Sequence, residues 1–342
     1  MPAVAPAVRR DLPALTGLRF FLALWVILHH LTGPGQQLGA VLSPVLPAPL
    51  FALIRGGYQA VTTFFVLSGF VLTRSYWTAS WTGAALRKYY RGRVARVYPV
   101  YLLSLLVVAR FIVEDRTPGK LGYLLAHVTL LQAWLGAIPV SWNTPAWSLS
   151  CEMFFYAVFP LLGAFLVRRV TWRRVIAMAA VAFVLTRAMW AAGISDGIKP
   201  LVHLSDFLMG IAAAGAYELV QRTVRTVRAW WLYVPGFAGA AAAIAWADRL
   251  PALLDLNSVL RVFNAVLLVG LALGCRALSG RVLVYLGKSS YAMYILHVPI
   301  LWWYLRESHT FSPALYVTLV IAASAVVYAV VEEPANRLLR RS

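Results

Sequence analysis

Arg19 and His30 lie in one apolar stretch, Leu15–Leu31 (LTGLRFFLALWVILHHL). An ionisable side chain in hydrocarbon costs kilocalories unless it finds a partner or lines a wet cavity. Eleven residues at about 100° each bring His30 to within about 20° of Arg19 round a helix, roughly 16 Å further along its axis. A cation and an imidazole sharing one groove suit an anion anchor and a proton-transfer group. The structural alternative is an arginine snorkelling to the cytoplasmic interface and a histidine bonded to a neighbouring helix.

Four further segments set chemistry-bearing residues in apolar runs. In Thr63–Leu72 (TFFVLSGFVL), Ser68 and Gly69 interrupt an aromatic-rich stretch, where small residues also serve close helix packing. Arg87–Tyr101 (RKYYRGRVARVYPVY) is basic. It reads either as a topology signal that snorkels to anionic headgroups, or as a cytoplasmic site for a phosphorylated cofactor. In the second case Arg93 and Arg96, at i and i+3, grip one phosphate. Trp142–Pro160 (WNTPAWSLSCEMFFYAVFP) carries Trp147, Ser148, Ser150 and Glu152, and its tryptophans also suit interface anchors. Leu286–Pro299 (LGKSSYAMYILHVP) carries Tyr291 and His297, the histidine either supporting a site or serving as a buried structural residue.

The elements that must hold these residues follow from composition. Of 342 residues 61% are hydrophobic and 13% charged, against about a quarter charged in soluble domains. The mean hydropathy is +0.74. The chain therefore reads as an all-α polytopic membrane bundle. Cys151 and Cys275 give neither a disulfide framework nor metal-ligand spacing. The first apolar run lacks a cleavage signal and reads as a retained anchor.

Apolar segments fall near residues 13–33, 58–73, 97–113, 121–135, 152–167, 175–193, 201–220, 229–247, 257–275, 284–306 and 312–331. Arg74, Arg87, Lys88, Arg91, Arg93 and Arg96 place the loop after the second segment in the cytoplasm. Arg168, Arg169, Arg173 and Arg174 do the same after the fifth. Three candidates cannot all cross between two cytoplasmic loops. The short 121–135 segment, with His127 and Gln132, reads as re-entrant or in-plane, leaving about ten spans.

The basic clusters at Arg222, Arg225 and Arg228, at Arg276, Arg281 and Lys288, and at Arg337, Arg340 and Arg341 then all face inward, as do Arg9, Arg10 and both termini. The net charge of +19 is mostly this topology signal, which disfavours a nucleic-acid partner. By the same count Glu152 enters from the outer side, towards which His30 points. A His30–Glu152 pair is therefore expected, orienting the ring and raising its basicity.

In order, Arg19-x10-His30, FFVLSGF, RGRVARVYPVY, PAWSLSCEMFFYAVFP, LGKSSYAMYILHVP and a closing Glu333-Pro334 resemble the acyltransferase 3 family of integral membrane O-acyltransferases. The resemblance covers roughly residues 13–338 and implies one membrane domain, 1–342, without a soluble C-terminal domain. It implies transfer of an acyl group, often acetyl, from acyl-CoA to a hydroxyl, usually of a sugar in a surface glycan, a glycolipid or a glycosylated natural product. The implied setting is the plasma membrane. Acyl-CoA is then a co-substrate, with no cofactor permanently bound and no metal.

By position, Arg19 and His30 match the family's Arg-x10-His signature, Arg93 and Arg96 its cytoplasmic Arg-x-x-Arg pair, and Trp147, Ser148, Ser150 and Glu152 its W-S-L-S-x-E block. Arg19, His30 and Glu152 are accordingly read as catalytic, and Arg91, Arg93 and Arg96 as acyl-CoA-binding. Trp147, Ser148, Ser150, Ser68, Tyr291 and His297 are substrate or supporting residues. Cys151 stands where many members carry an apolar residue, and nothing marks it as a nucleophile. His29 lies about 80° off the Arg19 face, so His30 is the assigned base. A pantetheine arm, roughly 15–20 Å long, matches the helix rise between Arg19 and His30. A continuous polar tunnel from Arg93 and Arg96 to His30 is therefore expected. Two other readings stand beside this one: an antibiotic-tailoring acyltransferase with a cytoplasmic acceptor, and a proton-coupled transporter or flippase.

Overall fold

The computed structural model describes residues 12–33, 36–77, 79–136, 142–167, 170–194, 198–223, 227–250, 255–308 and 310–341. Arg9, Arg10, Arg168, Arg169 and Arg225, counted above among the basic clusters, lie outside them. Among the described residues the regular structure is helical throughout. Ten helices of fifteen or more residues form the frame. They are α1 (Pro13–Thr32), α2 (Ala60–Ser75), α3 (Gly83–Val107), α4 (Trp147–Val167) and α5 (Trp172–Ala191). The others are α6 (Leu204–Thr223), α7 (Trp230–Ala245), α8 (Leu256–Leu273), α9 (Ser290–Glu307) and α10 (Pro313–Val327).

Among the described residues six stretches are long and apolar enough to cross a bilayer: Pro13–Thr32, Ala48–Ser75, Thr144–Gly163, Trp172–Ala191, Leu256–Leu273 and Pro313–Leu338. The chain is a multi-pass membrane protein. The other long helices fall short of that standard for plain reasons. α3 opens on the basic run, α6 carries Asp206 and Glu218, α9 carries His297, Arg306 and Glu307, and α7 has only 16 residues. The 121–135 segment forms a helix over Lys120–Val128, about 13.5 Å at 1.5 Å per residue, and then a 3₁₀ turn at Gln132–Trp134.

The largest apolar core gathers Val26 of α1, Phe65 of α2, Tyr101 of α3, Phe155 of α4, Phe207 of α6 and Ile295 of α9. Two glycine crossings bring helices to backbone contact. A Cβ on Gly69 would run into the Phe207 carbonyl, and one on Gly210 into that of Val66, so α2 and α6 touch at their small residues. Gly17 of α1 and Gly287, in the short helix leading into α9, do the same at the Leu278 and Thr16 carbonyls.

Two prolines inside helices shape the site. Pro160 has no N–H for the Tyr156 carbonyl, and the Tyr89 hydroxyl donates to it instead at 2.9 Å. Pro299 likewise frees the Ile295 carbonyl, which accepts from Asn143 Nδ2 at 3.0 Å. Each freed carbonyl thereby ties one site helix to a neighbouring segment.

Candidate active site

A cavity of about 260 Å³ opens between α1, α2, α3, α4 and α9. Its polar wall comprises Arg19, Ser68, Arg93, Arg96, Ser148, Glu152, Tyr156, Ser290 and Tyr291, and Val61, Phe64, Leu67 and Val71 of α2 supply the apolar side. On α2 the lining runs from Val61 to Ser75, about 21 Å along the axis.

The three arginines are held differently. Arg93 sits among three tyrosine rings, with its guanidinium carbon 5.9 Å from Tyr76, 5.8 Å from Tyr89 and 5.4 Å from Tyr156. Arg96 lies over Tyr291 at 5.3 Å and forms an ion pair with Glu332. Glu332 is buried and reaches inward from a π-helical turn, Tyr328–Glu332, at the end of α10. The Nε atoms of Arg19 and Arg93 are buried without an acceptor. Unmet donors on two guanidinium groups facing one cavity are what an anionic ligand would satisfy. Arg91, about 200° round the helix from Arg93, is exposed and outside the cavity wall.

Glu152 accepts hydrogen bonds from Ser68 Oγ at 3.3 Å and from the Tyr156 hydroxyl one turn along α4. The expected His30–Glu152 pair is therefore replaced by other partners. The reason is depth: His30 lies two residues from the end of α1, whereas Glu152 lies five residues inside α4, about 7.5 Å along it. Glu152 shares its level with the arginines. Ser148 Oγ pairs with the Tyr294 hydroxyl at 2.8 Å and donates to the Pro145 carbonyl at 2.9 Å. Tyr291 donates to the Val97 carbonyl at 2.6 Å, pinning α9 to α3. Trp147 packs edge-on against Phe65 and lies 5.2 Å from the His203 ring. Ser150 is buried and absent from the cavity wall, and Cys151 is fully buried.

His30 stands beyond the Tyr294 end of the cavity rather than in its wall. Its Nδ1 lies 2.9 Å from the Val26 carbonyl and 3.4 Å from His297 Nε2. Tyr294 lines the cavity, and its ring lies 6.1 Å from that of His297 and 5.9 Å from that of Phe64. The cavity wall includes Arg93, Arg96, Phe64 and Tyr294 but not His30, so the expected continuous polar tunnel from the arginines to His30 is not seen among the described residues. The His29 ring stands edge-on to His30 with centroids 5.3 Å apart, but its Nδ1 is bonded to the Arg55 carbonyl at 2.5 Å.

Several residues of this site escape a reading of sequence alone. Tyr156 stands at i+4 from Glu152, a spacing that could have flagged it. Of the adjacent Glu332 and Glu333, the sequence drew attention to the second, yet Glu333 pairs with Arg337 at the surface and Glu332 holds Arg96. Asn143 carries no local signal; its partner carbonyl lies 152 residues away.

Long apolar helices enclosing a cationic cavity beside a histidine pair define a class, a multi-pass membrane protein with an internal polar site. The chain belongs to the acyltransferase 3 family: residues 12–332 match the family described as an acyltransferase domain. Over 96% of its length it is 31% identical to the acyltransferase MdmB of Streptomyces mycarofaciens, covering 93% of that protein. It is 23% identical to the O-acetyltransferase OatA of Staphylococcus aureus over 85% of its own length and 51% of OatA's. A putative acetyltransferase, ORF330 of Acidianus two-tailed virus, is 30% identical over 44% of the chain and 40% of its own length. No solved structure matches. The protein is an acyltransferase.

Proposed function

We propose that the protein is an O-acyltransferase that moves an acyl group, acetyl in the first instance, from acyl-CoA to a sugar hydroxyl, with His30 as general base. One observation carries the reading. Arg19 and Arg93, whose buried Nε donors are unmet, line one cavity, and His30 lies past its Tyr294 end. The adenosine-phosphate head of acyl-CoA meets Arg93 and Arg96, and the pantetheine arm lies along α2. Glu152 keeps Ser68 and Tyr156 in place and balances part of the arginine charge.

His30 takes the proton of the acceptor hydroxyl as its oxygen bonds to the thioester carbon. The C–S bond then breaks, and the thiolate leaves and takes up a proton, giving the ester and free CoA. A positioned base of this kind contributes about 10²–10⁴-fold. The acceptor belongs to a surface glycan or glycolipid if it approaches from the outer side. The alternative acceptor that the family resemblance implies is a glycosylated natural product. Labelled acetyl-CoA, incubated with purified protein and native membranes as the acceptor pool, should yield free CoA and a labelled ester. Label remaining wholly in acetyl-CoA with folded, membrane-embedded protein would contradict the assignment.

A further inference from the structure

We infer that His297 is the positioning residue for His30, doing with a neutral imidazole what a carboxylate does in hydrolase triads. The inference rests on the reading of His30 as the base. His297 is fully buried, and its Nδ1 lies 2.6 Å from the Tyr294 carbonyl. A carbonyl only accepts, so Nδ1 carries the proton, and in a neutral ring Nε2 carries the lone pair. That lone pair lies 3.4 Å from His30 Nδ1.

His30 Nδ1 in turn lies 2.9 Å from the Val26 carbonyl, so it too must be the protonated nitrogen. Its N–H is shared between the Val26 carbonyl and His297 Nε2, and the rings meet at 62° with centroids 4.9 Å apart. His30 Nε2 is thereby left with its lone pair free to take a hydroxyl proton. Once it has done so, the positive ring still rests its Nδ1–H on two acceptors.

Two neighbouring segments hold this stretch of α9. Tyr316 donates to the His297 carbonyl at 2.8 Å, and Asn143 holds the Ile295 carbonyl that Pro299 leaves free. A neutral acceptor also suits this depth. A carboxylate at the same place would carry the desolvation penalty of a buried charge whenever His30 is neutral.

The test uses the full-length protein in lipid nanodiscs, with ¹⁵N-labelled histidine and with diethyl pyrocarbonate, which acylates a free imidazole nitrogen and needs no acceptor. Nitrogen shifts, assigned with His30→Ala and His297→Gln, should show both rings protonated at Nδ1. Modification of His30, read by mass spectrometry, should slow about 10–100-fold in His297→Leu, by analogy with the loss of an orienting partner at metal-bound histidines. His297→Gln, whose amide oxygen can accept from His30, should recover most of that rate. His29 should react alike in every variant, which reports an intact fold. An Nε2–H form of His30, or wild-type reactivity in His297→Leu, overturns the inference. If instead His30→Ala leaves acyl transfer intact, it is the general-base reading itself that fails.

Discussion

Arg93 and Arg96 look equivalent in the sequence and are not equivalent in the fold. Arg93 is held by tyrosine faces and keeps an unmet Nε, whereas Arg96 is ion-paired to the buried Glu332. Replacing both with Gln should weaken acyl-CoA binding by about 2–5 kcal/mol, since each charge-assisted hydrogen bond is worth about 1.5–3. Arg93→Gln alone should lose affinity with little change in melting temperature. Arg96→Gln should also destabilise the fold, by about 3–5 kcal/mol, because it strands a buried carboxylate, and adding Glu332→Gln should restore part of that loss. Acyl-CoA titration and thermal unfolding in detergent measure the two effects separately. Equal behaviour of the two single variants would argue against this division of labour. At this scale the sequence supplied residue types and spacing, which are properties of one helix. The partner of each side chain, Glu332 for Arg96 or His297 for His30, depends on which helices meet and at what depth.

Between elements, the carbonyls freed by the prolines couple α4 to α3 and α9 to the Trp142 segment. Tyr89→Phe removes the donor to the Tyr156 carbonyl and should cost about 1–3 kcal/mol, the price of an unsatisfied buried acceptor. In a Pro160→Ala background the backbone N–H of residue 160 can take over, so the same substitution should cost much less. The resulting coupling, about 0.5–3 kcal/mol, is readable from a double-mutant cycle of thermal unfolding. Simple additivity would mean that Tyr89 does not serve the freed carbonyl. Pro160 and Pro299 close two of the segments singled out in the sequence, and a proline inside a helix leaves one carbonyl without its N–H partner. The groups that answer them, Tyr89 and Asn143, were not visible there, because nothing local to either residue records a carbonyl freed 67 or 152 residues away.

For the whole molecule, the apolar segments correspond to the ten long helices, and the short 121–135 stretch became a nine-residue helix with a turn. Hydropathy finds helices well because a bilayer demands length and apolarity of each one separately. It does not fix rotation or depth, and for that reason Glu152 was expected beside His30 and lies with the arginines instead. The proposed orientation, with both termini cytoplasmic, follows from basic loops alone. In a background with Cys151→Ala and Cys275→Ala, Ser80→Cys should be shielded from a membrane-impermeant maleimide in intact cells, and Ser308→Cys should be labelled. The reverse pattern would invert the topology and with it the side from which acyl-CoA enters.

The most direct measurement compares His30→Ala with His29→Ala in the labelled acetyl-CoA assay, at matched expression and membrane insertion. The neighbouring histidines differ in position alone: His30 faces His297 beyond the cavity, and His29 is bonded to the Arg55 carbonyl on another face. Acyl transfer through His30 predicts that His30→Ala abolishes formation of the labelled ester while His29→Ala keeps most of it. Transfer that survives in His30→Ala, or falls equally in both variants, would contradict it.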